Sequence, residues 1–353
     1  MAWSGLGMGN VYSSNTTTMG SYVDILLAQG IEDIRVTLPT HTFDQTDKKN
    51  AVIIAVNKGA RVIWGVSQNN YGGLGSSTIT KENWPTFRLG ILAAAQWSQD
   101  NGVYEFQIGN EEELHNHFHP SLSRTDNVVT VTTRDSAGTV CNHSFTADNQ
   151  VTITGATPAD LNGTFDITVT GATTFTYTAN GENATVSSGV TQAYNLSLSE
   201  LRDNLKSVAT ECQAIFIRGN ISYTTNQDQI SAWNTLGKGD LDLIAFNVYR
   251  GGLGSYSNAW KTAIDNIVTN WGNEAYITEW SVSYTSLNDW STNEERVAAG
   301  IAEMLDYIQE AGISKAIFYS FAEADFGVYD GTNFKLFWNN LTTNNGRRWF
   351  INL

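Results

Sequence analysis

Along most of the chain, short apolar runs alternate with longer stretches in which apolar residues recur every three or four positions. The short runs predict strands and the longer ones amphipathic helices. Residues 22–29 (YVDILLAQ) predict a helix ending at Gly30, and 31–39 (IEDIRVTLP) a strand stopped by Pro39. A helix over about 47–58 ends at Gly59 before the strand 60–67 (ARVIWGVS). Another near 86–100 passes through Asn101-Gly102 into 103–111 (VYEFQIGNE). Further on, a helix at 198–212 precedes a strand at 214–220 (AIFIRGN), and DQISAWNTLG precedes LDLIAFNVY at 241–249. The helix 258–272 precedes AYITEW at 275–280, and 293–312 precedes KAIFYSFAEAD at 315–325. Helices start after Ser, Asp or Asn and stop at Gly, as capping chemistry requires.

With AWSGLGMGN as a first strand there are about eight strand–helix units. Repeated units of this kind imply parallel strands with right-handed crossovers, and eight predict a closed (β/α)8 TIM barrel. The alternative is an open doubly wound sheet. It would carry a Gly-rich phosphate turn after its first strand, and GLGMGN matches GxGxxG poorly. Residues 124–195 break the rhythm. They are rich in Thr, Val, Gly and Asn, and they alternate with period two in NVVTVTTRD, QVTITGA, GTFDITVTG and TTFTYTANG. The expected organisation is a catalytic barrel from 1–123 and 196–353, with a small all-β domain, 124–195, inserted after strand four. That insertion either touches substrate or is a tolerated surface addition.

Composition narrows the function. Aromatic residues make up 11% of the 353 residues, with 11 Trp and 14 Tyr, more than a core needs, so some rings are expected on a binding surface. The net charge of −15 excludes the basic footprint that nucleic acid requires. Two cysteines, Cys141 and Cys212, fall on either side of the expected domain boundary and exclude a disulfide framework. No apolar run is long enough to span a bilayer, so no membrane partner is expected. No signal peptide is visible in MAWSGLGMGN, and the localisation stays open.

In a barrel, alternate strand residues point inward and chemistry sits at the C-terminal strand ends. Strand four then places Glu105, Gln107, Gly109 and Glu111 inward, and Tyr104, Phe106, Ile108 and Asn110 outward. Strand six places Ala245, Asn247 and Tyr249 inward, and strand two Arg35 and Thr37. Strand seven ends at Glu279, in phase with Ala275 and Ile277. Two carboxyl groups across one barrel mouth are the minimum equipment for cleaving a glycosidic bond. Arg35 and Tyr249 are placed to hold one of them ionised. Trp64, Trp280 and Tyr319 near strand ends offer faces for sugar rings.

His115, His117 and His119 alternate in HNHFH and invite a metal reading, but no second ligand motif such as HExxH accompanies them. No metal is assigned; His115, the nearest to Glu111, is a candidate substrate contact. The two GGLGS copies, 72–76 and 251–255, lack the Lys-Ser or Lys-Thr of a phosphate loop and read as rims of the cleft.

GIEDIRVTLP with Arg35, IGNE with Asn110-Glu111, Tyr249, and ITEW with Glu279 together resemble the clan A glycoside hydrolases, most of all family 5 and its near relatives. The resemblance implies that Glu111 is the general acid/base and Glu279 the nucleophile of a reaction retaining anomeric configuration. It also implies that Asn110 contacts a sugar 2-hydroxyl and that Arg35 and Tyr249 position Glu279. No cofactor is expected, and the implied substrate is a β-linked polysaccharide or oligosaccharide of glucan or mannan type. The chain departs from the pattern at two places. Glu112 stands where a proline is common, and Tyr319, with Phe321 as the other candidate, stands for the usual tryptophan of strand eight. The insertion in turn resembles small β modules of bacteriophage tail proteins, which implies phage structural proteins as partners. The alternative function is a virion adhesin that binds surface glycan without cutting it, or a depolymerase of bacterial surface or cell-wall polysaccharide.

Overall fold

The computed structural model describes residues 5–39, 45–67, 78–114, 116–135, 137–187, 191–250, 258–282 and 290–319. Eight parallel strands close into a barrel: β1 Leu6–Val11, β2 Asp33–Val36, β3 Arg61–Gly65, β4 Glu105–Asn110, β5 Asn220–Asn226, β6 Leu243–Arg250, β7 Ala275–Val282 and β8 Ala316–Phe318. Each strand pairs with its sequence neighbour in the barrel, and β8 returns to β1 through Leu6 opposite Ala316. The connecting helices are α1 Thr16–Ala28, α2 Thr46–Asn57, α3 Trp84–Asp100, α4 Leu198–Gln213, α5 Ile230–Leu236, α6 Ala259–Trp271 and α7 Trp290–Glu310.

Local chemistry explains the helix ends. The Asn15 side chain accepts from the Thr18 amide at 3.0 Å to cap α1, and Ser197 and Glu200 form a reciprocal capping box at the start of α4. Gly30 and Gly59 close α1 and α2 with φ of +76° and +91°, where any side chain would be strained.

Strand residues divide between two apolar layers. Ile34, Val62, Phe106, Ile244 and Ile277 pack outward under the helices in the main core. Ile63, Ala245, Tyr276 and Ile317 form a small plug inside the barrel. Near the base of that interior, Glu105 accepts from Ser222 at 2.7 Å, from the Tyr276 hydroxyl and from Lys315 at 2.5 Å.

Three expectations need correction. The fifth strand is Asn220–Asn226, not 214–220. Phe216 instead leaves α4 to pack on Phe106, with ring centroids 5.8 Å apart, and Ile217 is 77% exposed. On β7, Ala275 and Ile277 face outward and Tyr276 inward. The reason is an extra residue, Thr278: Phe246 opposes Ile277, but the next residue of β6, Asn247, opposes Glu279. The bulge resets the phase, so Glu279 still reaches the interior. A second register shift lies on β4. Ser222 opposes Gln107, and Thr224, two residues on, opposes Asn110, three residues on. Asn110 is thereby turned into the barrel rather than outward.

Between β4 and α4 the chain forms two antiparallel sheets. Five strands run in the order Ala184–Val186, Ser121–Thr125, Val128–Thr132, Thr174–Thr178 and Thr168–Gly171. Three more run Gln192–Tyr194, Gln150–Thr154 and Gly163–Asp166. A separate apolar cluster including Leu122, Val131, Ile153, Phe175 and Ala193 fills this β segment. Its first strand starts at Ser121, ahead of the expected 124.

Close approach of β3 and β4 makes Gly65 irreplaceable. A Cβ there would lie 1.7 Å from the Gln107 carbonyl oxygen. Gly65→Ala is expected to destabilise the protein by about 3 kcal/mol, the upper range for overpacking, measured by urea denaturation. A loss within 0.5 kcal/mol would contradict this packing.

Candidate active site

Arg35 enters the barrel from β2 and is buried. Its guanidinium is a rigid fork of five donors, and three of its nitrogens are committed. Nε donates to Gln107 Oε1 at 2.9 Å, one terminal nitrogen to Glu279 Oε1 at 2.5 Å, and the other to Asn110 Oδ1 at 2.9 Å. The fork therefore ties β2, β4 and β7 together across the barrel. The second oxygen of Glu279 accepts from the Tyr249 hydroxyl on β6. Burial first, and then the Glu279 charge, push the Tyr249 phenol well above its ordinary value, so it remains a donor. Glu279 itself is only 6% exposed, and its charge is matched by Arg35.

Glu111 sits just past the end of β4 with φ of +59°, a left-handed conformation uncommon for a residue with a side chain. Its amide donates to the Thr224 carbonyl at 2.8 Å. Burial and then the Glu279 charge push its carboxyl up to about 7, against the opposing effects of an Asn247 hydrogen bond and Arg35. Asn247 also donates to Asn110 Oδ1 at 3.4 Å. The two glutamates thus feel one another but differ in setting: Glu279 is paired with a cation, and the Glu111 carboxyl is pushed up toward neutrality by burial and by the Glu279 charge.

The turn after Glu111 is anchored by Glu113, which sequence reading leaves as the start of a loop. Its buried carboxylate accepts from Trp233 Nε1 at 2.7 Å, Thr225 Oγ1 at 3.1 Å and the Tyr223 hydroxyl, with Arg202 Nε at 3.6 Å. Tyr223 in turn accepts from the Glu112 amide at 3.1 Å. Glu112 folds over Gly109, where a Cβ would lie 2.4 Å from its carboxylate oxygen. Glu111, the first of the three consecutive glutamates, carries the raised pKa that the Glu279 charge helps to produce.

A cavity beside Glu279 is lined by Arg35, Asn110, Glu279 and Tyr319, together with Asn10, Thr37, Lys48 and Ser67. Tyr319 follows β8 and stands edge-on to Tyr249, ring centroids 6.3 Å apart. The structure brings Glu111, Glu279, Arg35, Asn110, Tyr249, Asn247 and Tyr319 together. Trp64 and Trp280 are a correction: both have no exposed surface. Each follows an inward residue (Ile63, Glu279) and so points outward, where Trp64 packs on Trp97 at 4.8 Å and Trp280 on Phe318 at 4.9 Å.

Asn10, Lys48 and Ser67 were not singled out from the sequence. Asn10 has a signal in hindsight, an Asn at the end of the first strand with φ of +51°. His115, Phe321 and both GGLGS copies lie outside the described residues. His117 is held by Asn116 at 3.0 Å and Gln192 at 3.2 Å, and its ring meets that of His119 at 4.9 Å. Among the described residues, no three His, Cys, Asp or Glu side chains come together to hold a metal.

No family model matches the chain, and no curated protein matches its sequence. Solved structures do match in fold. A glycoside hydrolase 5-4 broad specificity endoglucanase from an uncultured bacterium aligns with a TM-score of 0.54 at 13% identity, over 95% of this chain and 91% of that one. A psychrophilic glycoside hydrolase family 10 endo-β-1,4-xylanase aligns at 0.51 and 9%, over 92% and 89%. An endocellulase of the archaeon Pyrococcus horikoshii aligns at 0.51 and 11%, over 99% and 92%.

The raised carboxyl of Glu111 has a measurable cost. Its folded-state pKa lies above the ordinary 4.5, so its contribution to stability is full below pH 4.5 and is lost as pH rises through about 7. Glu111→Gln, which removes this titration, is expected to be more stable than the parent by about 3 kcal/mol above pH 7 and to match it below pH 4. Thermal unfolding across pH tests this, and parallel curves for the two proteins would contradict it. Among known structures, the likeness extends to the fold: this chain is a closed (β/α)8 barrel of the kind those three enzymes use.

Proposed function

We infer that the protein is a glycoside hydrolase that cleaves a β-linked glycan with retention of anomeric configuration. The observation that carries this reading is the opposite electrostatic state of two facing carboxyl groups, Glu279 paired with Arg35 and Glu111 raised to about 7. In the first step the Glu279 carboxylate attacks the anomeric carbon while Glu111 gives its proton to the departing glycosidic oxygen. In the second, Glu111, now a carboxylate, takes a proton from water, and the resulting hydroxide displaces Glu279 from the glycosyl ester. Tyr249 and Arg35 hold the Glu279 oxygens in place between the steps. Asn110, whose carbonyl oxygen is taken by Arg35, offers its amide NH2 to a sugar 2-hydroxyl.

The structural neighbours, the endoglucanase, the endo-β-1,4-xylanase and the endocellulase, joined by a glycoside hydrolase family 113 β-1,4-mannanase that aligns at a TM-score of 0.50 and 11% identity over 93% of this chain and 95% of that one, support a β-linked polysaccharide of glucan or mannan type as the substrate. The β segment after β4, with its resemblance to phage tail modules, extends the proposal to a virion-borne enzyme acting on bacterial surface or cell-wall glycan. Release of reducing ends from a polysaccharide panel tests the activity. Glu111→Gln and Glu279→Gln are each expected to lower kcat by about 100-fold or more. Near-parental activity in either variant would overturn the assignment. The general acid must be protonated, so kcat/KM is expected to fall as pH rises above about 7.

A further inference from the structure

Lys48 is a cation that the proposed chemistry does not use. It lies in the first turn of α2, where the helix dipole disfavours a positive charge, so helix stability does not account for it. The side chain is half-buried, and its ammonium donates to the Leu38 carbonyl at 2.7 Å. Leu38 and Lys48 both line the cavity that holds Glu279. The carboxylate beside it in sequence, Asp47, accepts from the Tyr12 hydroxyl and acts on the ammonium through its charge without forming an ion pair with it. Among the described residues no carboxylate lies within ion-pair distance of Lys48. Burial lowers its pKa below the ordinary lysine value, the signature of a charge only partly compensated.

The charge balance of the cavity is therefore unlike that of the chain. Among the described residues that line the cavity, Arg35 and Glu279 offset each other and Lys48 adds a further positive charge, in a protein whose net charge is −15. A partly desolvated ammonium can donate to a sugar hydroxyl, but with a carboxylate it forms the stronger, charge-assisted hydrogen bond. We propose that Lys48 forms an anionic subsite beside Glu279 and that the glycan carries a carboxylated sugar, a uronic acid, at that position. This rests on the glycoside hydrolase reading and names its substrate class. At physiological ionic strength the chain's distant negative charges are screened beyond about 8 Å, so Lys48 acts at contact range without their opposition.

The test compares two chains that differ only at C6: cellohexaose and the β-1,4-linked glucuronic acid hexamer. Binding is measured by calorimetry at 0.15 M salt, about the physiological value, and hydrolysis is followed in parallel. The acidic hexamer is expected to bind about tenfold more tightly than cellohexaose, as one charge-assisted contact provides. Lys48→Met is expected to erase that preference and Lys48→Arg to keep it. Equal binding of the two chains, a preference that survives Lys48→Met, or binding of neither overturns the proposal. A Lys48-dependent preference without cleavage of either chain would remove the hydrolase reading and leave the anionic subsite. Cleavage of cellohexaose without any such preference would do the reverse.

Discussion

The site depends on a guanidinium buried inside a barrel. Removing a charge from water is costly unless the charge is paired and hydrogen-bonded, and each of the three Arg35 nitrogens donates to an acceptor, on Gln107, Glu279 and Asn110. The consequence is reciprocal. Arg35 and Glu279 are both buried, and each is the other's ion-pair partner. With one carboxylate so fixed, a second carboxyl group buried nearby cannot easily ionise as well. Glu111 is raised for that reason, burial acting first and the Glu279 charge next.

Geometry delivers these groups through irregularity rather than regular pleating. Both strands that deliver a glutamate to the site carry a register shift, at Thr278 on β7 and between Gln107 and Asn110 on β4. Without the β7 shift, the alternation that sends Tyr276 into the plug would send Glu279 toward the helices. On β4 the shift lets Asn110 point inward, and the left-handed turn at Glu111 sets the acid off the strand line. Glu113, tied to Trp233, Thr225 and Tyr223, fixes the turn that keeps this strained residue in place.

The architecture was legible because amphipathic helices and their caps leave strong local patterns. α2, α3, α4 and α6 lie within two residues of where their apolar periodicity and closing glycines put them. β5 was misplaced because its inward face is polar. Ser222 and Thr224 serve hydrogen bonds in the barrel interior, so NISYTTN lacks the apolar run that marks a strand, whereas AIFI has one and is not a strand. Residues on regular strands, Arg35 and Tyr249 among them, were placed in the interior from parity alone. Bulges carry no composition signal, which is why Asn110, Ala275 and Ile277 were assigned to the wrong faces. Trp64 and Trp280 show the converse failure. A tryptophan at a strand end is compatible with either face, and only its inward neighbour, Ile63 or Glu279, tells which.

The central claim, that the charge on Glu279 helps keep Glu111 protonated in the resting site, can be tested without knowing the substrate. Titration of the Glu111 carboxyl carbon by NMR in the parent and in Glu279→Gln measures it directly. The account predicts a midpoint of about 7 in the parent and a lower one in the variant, where the repelling charge is gone and Arg35 is released to act on Glu111. A midpoint near the ordinary 4.5 in the parent, or one that does not move in the variant, would contradict it.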